Sequence, residues 1–147
     1  MNTEPTNSLA ITLFSEVLAA DQSIRNALSR VLPKGMELSH FSVLNTLARG
    51  SNERSPAQLA QTFGVTRGAM TNTLSKLEWA GYIHVRPDWD DARRKMVAIS
   101  PSGLAARDQA MATIAPLIDA ALSEVDSDDV RKTVPVLRAL RSKLASD

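Results

Sequence analysis

Residues 55–81 read SPAQLAQTFGVTRGAMTNTLSKLEWAG, and residues 82–103 continue YIHVRPDWDDARRKMVAISPSG. Ser55 places a side-chain oxygen just before Pro56, and Gln58 follows three positions on, so a helix start with a reciprocal cap is written there. Leu59, Ala60 and Phe63 give that helix one apolar side. Gly64 can take a positive φ, which closes the helix and permits a sharp turn. Thr66 then caps a second helix whose Met70, Leu74 and Leu77 recur at i, i+4 and i+7, and Gly81 ends it. Tyr82 to Arg86 and Met96 to Ile99 are extended runs around a charged tip, the pattern of a hairpin. Ser100-Pro101 repeats the cap-and-proline start and opens another helix. Two short helices joined at a glycine and followed by a hairpin outline a winged helix-turn-helix.

Outward from this stretch the chain reads as helix. Leu9, Leu13, Val17, Ala20, Ile24, Leu28 and Val31 recur at three- and four-residue steps from Ser8, with Phe14 and Leu18 widening the stripe, until Leu32-Pro-Lys-Gly35 stops it. A helix from about Ser39 to Ala48 carries Phe41, Leu44 and Leu47. The helix after Ser100 carries Leu104, Met111, Ile114, Leu117, Ile118 and Leu122, and a last one starts at Asp126 to Asp129 and runs through Val130, Val134, Leu137 and Leu144. Pro135 inside that last pattern predicts a kink or a restart. Residues 1–7 are polar with Pro5 and read as a disordered tail. The expected fold is mainly α with a small β-hairpin wing: one domain over 1–147, with the lobe at 37–100 and dimerisation helices at 8–32 and 102–145.

Composition narrows the chemistry. At 147 residues with 44% hydrophobic and 22% charged content, the chain has the make-up of one soluble globular domain. It has no cysteine, which excludes disulfides, thiolate metal sites, a cysteine nucleophile and thiol redox sensing. The N-terminus lacks a basic segment followed by an apolar one, and no apolar run approaches the roughly 18 residues that span a bilayer, so the expected location is cytoplasmic with no membrane partner. Net charge is +1, but residues 51–100 hold seven basic and five acidic side chains, a small excess placed where phosphate contact would use it.

The second helix of the central stretch is the informative one. With Met70, Leu74 and Leu77 inward, its other face shows Arg67, Gly68, Thr71, Asn72, Ser75 and Lys76, with no acid before Glu78. Arg67 and Asn72 suit guanine and adenine edges, while Thr66, Thr71 and Lys76 suit phosphates. An ordinary solvated face would carry Glu and Lys at four-residue spacing instead. The hairpin tip holds Asp90, Asp91, Arg93, Arg94 and Lys95. An arginine at the end of a two-stranded ribbon can reach the narrow minor groove, and Asp91 is placed to pair with Arg93. Arg86 at the hairpin's foot either braces the wing or meets phosphate.

In order, Leu59-Ala60, Gly64-Val65-Thr66, Leu77-Glu78, Gly81, Arg86, Asp91-Ala92-Arg93 and Ile99-Ser100-Pro101-Ser102-Gly103 resemble the signature of the MarR (multiple-antibiotic-resistance regulator) family. Asp91-x-Arg93 ahead of Ile99-Ser100 is the most specific part. Trp79 and Trp89 depart from the pattern, as does Ile99-Ser100 in place of Leu-Thr. The resemblance implies a triangular homodimer with intertwined terminal helices, paired recognition helices in successive major grooves of a pseudo-palindromic operator, and Arg93 in the minor groove. It also implies a small aromatic or other carboxylate effector held near Phe14, His40 and Phe41.

Pairing is expected from the residues as well, because the outer helices carry longer apolar stripes than a core of this size covers. A metal site would need His40 and His84, which lie on different elements without ligand spacing, so none is expected, nor any cofactor. No nucleophile with a partner base and no phosphate loop is present, which argues against an enzyme. The reading is a ligand-responsive, DNA-binding repressor. The alternative is a winged-helix dimer acting as a protein adaptor, which would more often show an apolar patch where Arg67, Asn72 and Lys76 stand.

Overall fold

A computed structural model describes residues 4–50 and 53–145. Six helices and one hairpin follow in the order α1 (Glu4–Val31), α2 (Leu38–Arg49), α3 (Pro56–Phe63), α4 (Arg67–Trp79), β1 (Ile83–Pro87), β2 (Lys95–Ile99), α5 (Pro101–Ala121) and α6 (Ser127–Leu144). The expected caps form. Ser55 accepts a hydrogen bond from the Gln58 N–H while the Gln58 side chain accepts from the Ser55 N–H. Thr66 accepts from the Ala69 N–H, and Ser100 from the Gly103 N–H. Gly64 and Gly81 have φ of 62° and 79°, the left-handed conformation that each turn required.

Strands β1 and β2 pair antiparallel from Ile83↔Ile99 to Pro87↔Lys95, so each is one residue longer at the tip than the apolar runs indicate. An isolated bridge between Arg54 and Val97 lays a third backbone segment along the far edge of β2. The lobe's core gathers Val43, Leu44, Leu59, Met70, Leu74, Leu77, Ile83 and Val97 from five elements. A second cluster joins the lobe to the outer helices: Phe41 of α2 packs with Ala110 and Ile114 of α5, flanked by Leu28 and Val31 of α1. At the hairpin-to-helix junction Ser100 donates to the Gly81 carbonyl at 2.6 Å, and a Cβ on Gly103 would run into the Tyr82 carbonyl.

Two expectations change. Helix α1 begins at Glu4, so residues 4–7 are helical where a tail was expected, while residues 1–3 lie outside the described part. Pro5 does not prevent this, because a first-turn N–H has no intrahelical acceptor to lose. Helix α6 runs unbroken through Pro135, so there is no restart, and Asp126 caps it through the Asp128 N–H at 2.8 Å. Helix α5 likewise continues through Pro116.

Candidate nucleic-acid interface

Local signals place the two basic elements side by side. The cap at Thr66 starts α4 with Arg67, and four residues on Thr71 falls on the same face. The hairpin register puts Arg93, Arg94 and Lys95 where β2 begins. Arg67, Thr71, Arg93, Arg94 and Lys95 line one open groove of about 610 Å3 together with Ser55 to Gln58, the first turn of α3. Four cations and no carboxylate line it, and although Arg93 and Arg94 have acidic partners just outside the lining, the groove is positive in character. Lys95 and the α3 turn were not among the expected contacts. Their local structure was legible, but their approach to α4 depends on tertiary packing.

The wing tip is held by its own hydrogen bonds. Asp91 accepts from the Arg93 N–H at 3.0 Å and from Arg93 Nε at 3.1 Å, and the Arg93 side chain stays 91% exposed. Those bonds from Arg93, side chain first and backbone second, hold the Asp91 carboxyl below the usual carboxylate range. Arg94 pairs with Asp88 at 3.7 Å. Arg86, for which two roles were open, braces the wing. Its Nε donates to Glu53 Oε1 at 3.2 Å, its Nη2 lies 2.7 Å from Glu53 Oε2, and its Nη1 donates to the Pro87 carbonyl at 2.7 Å. The same guanidinium sits 5.0 Å from the ring centre of Trp89, a cation–π contact under an otherwise exposed indole. Trp79 stays exposed, and nothing in the structure explains its presence.

Other expected residues are distributed differently. Thr66 is exposed with its oxygen engaged in the cap, and Gly68, Asn72 and Ser75 lie exposed on α4 outside the groove's lining. Lys76 instead faces a different cavity, also about 610 Å3, lined by Lys34, Met36, Glu37, His40, Tyr82 and Gln109 among others. There it stands 4.0 Å from Glu37. His40 is buried in that wall, and its Nδ1 accepts the Glu37 N–H at 3.2 Å, closing a capping box at the start of α2. Burial lowers the His40 pKa below 6.5; Glu37 opposes the shift and Lys76 adds to it. Phe41 turns away into the joint with α5, and Phe14 belongs to the exposed stripe of α1, so of the three expected effector residues only His40 reaches the cavity. Among the described residues no group of three or more metal-binding side chains occurs. No helix among them is long and apolar enough to cross a membrane.

Residues 34–94, which hold the groove's α3 and α4 and most of the wing, match the model of the MarR family. This is a MarR-type lobe. A search of the curated proteins gives no match. Solved structures extend the likeness across the chain. The transcriptional regulator BldR from Sulfolobus solfataricus superposes with a TM-score of 0.76 at 24% identity, covering 97% of this chain and 99% of that one. A MarR variant from E. coli complexed with operator DNA gives 0.73 at 22% identity over 89% and 94%. PcaV from Streptomyces coelicolor in complex with its natural ligand gives 0.71 at 17% over 86% and 89%. The chain therefore has the MarR-type winged-helix fold, and the resemblance read from its motifs holds.

Proposed function

We propose that this MarR-type chain is a non-enzymatic, sequence-specific regulator of transcription that binds double-stranded DNA as a homodimer. The observation that carries the reading is the acid-free groove shared by Arg67 and Thr71 of α4 with Arg93, Arg94 and Lys95 of the wing. In it α4 enters the major groove, Arg67 reads a base edge, Arg93 reaches the minor groove and the first turn of α3 follows the phosphates between them. Arg86 supports the wing. Residues 1–147 form one unit, with the lobe at 37–100 and pairing helices at 8–32 and 102–145. Covering a promoter with such a pair gives repression, in the cytoplasm. The operator-bound E. coli relative supports the DNA reading over the adaptor one.

The cavity beside His40 takes a small carboxylate effector. Lys34 and Lys76 supply the charge, and the ligand-bound PcaV structure lends support. A ligand seated there touches α4, α2 and α5 at once and shifts the lobe relative to the outer helices. Aromatic carboxylates are expected to raise the melting temperature and weaken operator binding; a panel that does neither removes the effector.

The test of the DNA reading is a titration of the gene's upstream DNA over a salt series. Binding that saturates with sequence preference and weakens as salt rises is expected, and Arg93→Ala lowers the log–log salt slope by about 0.9 per contact removed. Absence of any salt dependence refutes it.

A further inference from the structure

The basic groove does not stop at α3. Gln58 lines it and also lines a second concavity of about 330 Å3, bounded by Arg54, Gln61, Thr62 and, from α6, Arg141 and Ser142. Arg54 is fixed there by backbone bonds to β2: its N–H donates to the Val97 carbonyl at 3.2 Å, and its carbonyl accepts from the Val97 N–H at 2.7 Å. Its sequence neighbour Glu53 is occupied by Arg86. Beyond Asp129, α6 carries Arg131, Lys132, Arg138, Arg141 and Lys143, and no acidic residue follows until Asp147. Among the described residues neither Arg54 nor Arg141 has an acidic partner. Two unpaired guanidiniums around one concavity repel each other unless an anion lies between them.

We propose that Arg54 and Arg141 form a second phosphate contact, which carries the DNA backbone from the wing groove past Gln58 onto the C-terminal helix. This rests on the DNA-binding reading and extends it: a helix assigned to pairing also touches the nucleic acid. The ligand chemistry is a phosphodiester, and free inorganic phosphate is the competing source of the same chemistry.

Wild type, Arg54→Ala, Arg141→Ala, Arg141→Lys and Arg93→Ala are titrated by fluorescence anisotropy against a long duplex of mixed sequence over a salt series. Phosphate contacts are independent of sequence, so the operator is not needed. Arg54→Ala and Arg141→Ala are each expected to lower the log–log salt slope by about 0.9 per chain, as Arg93→Ala does, while Arg141→Lys keeps the wild-type slope because the charge remains. Thermal melts and sedimentation confirm that fold and pairing are intact. If Arg93→Ala lowers the slope and both Arg54→Ala and Arg141→Ala leave it unchanged, the contact is overturned and the DNA reading stands. If wild type fails to bind the duplex, both fall. Slopes unchanged in Arg54→Ala and Arg141→Ala, with a melting temperature raised by inorganic phosphate only when both arginines are present, assign the site to a free anion and overturn the contact. Conversion of Arg141→Ala to a monomer also overturns it, because Arg141 then serves the second copy.

Discussion

Leu44 and Leu59 in the lobe are wholly buried, whereas Leu9, Ile11 and Leu18 on α1 are about as apolar and stand exposed. Helix α6 goes further, with no buried residue along its 18 positions. In the lobe the large aliphatic side chains, Val65 apart, find partners within the chain, between α2, α3, α4 and the hairpin. On α1, α5 and α6 the stripes run Leu13, Phe14, Val17 and Ile118, Leu122, Val134, Leu137 with water against them. Most of a helix's stability in a protein comes from packing its apolar face, and these faces have little to pack against within the chain. The same hydrophobic pattern thus folds one region by itself and leaves the other with an exposed apolar face, the surface that the proposed pairing covers.

The sharpest way to break this contrast is to remove equal volume from each side. Leu44→Ala is expected to cost about 2–5 kcal/mol in urea unfolding, whatever the protein concentration. Leu18→Ala removes a side chain that is exposed in the single chain, so its cost is expected to appear as a stronger dependence of the melting temperature on protein concentration. If Leu18→Ala costs as much as Leu44→Ala at every concentration, the outer helices are not a pairing surface.

A smaller test compares the caps. Ser100 is buried, accepts from Gly103 and donates to Gly81, so Ser100→Ala strands two backbone groups and is expected to cost about 1–3 kcal/mol. Asp126 caps an exposed helix, and Asp126→Ala is expected to cost about 1 kcal/mol or less in the same unfolding series.

The smallest effect concerns His40, at the border of the two regions. Its folded pKa lies below the ordinary 6.5, so the unfolded chain binds the proton more readily. The stability this contributes is complete above that value and is lost as pH falls below it. Protonation also removes Nδ1 as an acceptor and opens the cap on Glu37. Urea midpoints are expected to fall between pH about 7 and about 5, and His40→Gln to flatten part of that slope.

The lobe was legible because its signals are local. Ser55, Thr66, Ser100 and Asp126 each cap within three residues, and Gly64 and Gly81 mark backbone that side chains avoid. What sequence left unread depends on residues far apart in the chain. The Glu53–Arg86 pair spans thirty-three positions, and the bond from Arg107 to Asn45 spans sixty-two. Lys76 avoids the core as its period requires, but it is nine residues from Arg67, about 180° around the helix at 3.6 residues per turn, and so sits over the His40 cavity and not in the groove. Composition misled at the start of α1, where polar residues around Pro5 suggested a tail.

The junction at Gly103 has a mechanical meaning. With Ser100 bonded to Gly81, and Gly103 pressed against the Tyr82 carbonyl, the hairpin and α5 meet in an elbow without slack. From it the 21-residue α5 extends as an arm, about 31 Å long at 1.5 Å per residue. In the proposed pair, such chains act as calipers whose jaws do not bend at the wrist: the opening between the two lobes, about 34–36 Å if they are to read half-sites one turn apart, is set by how the outer helices meet.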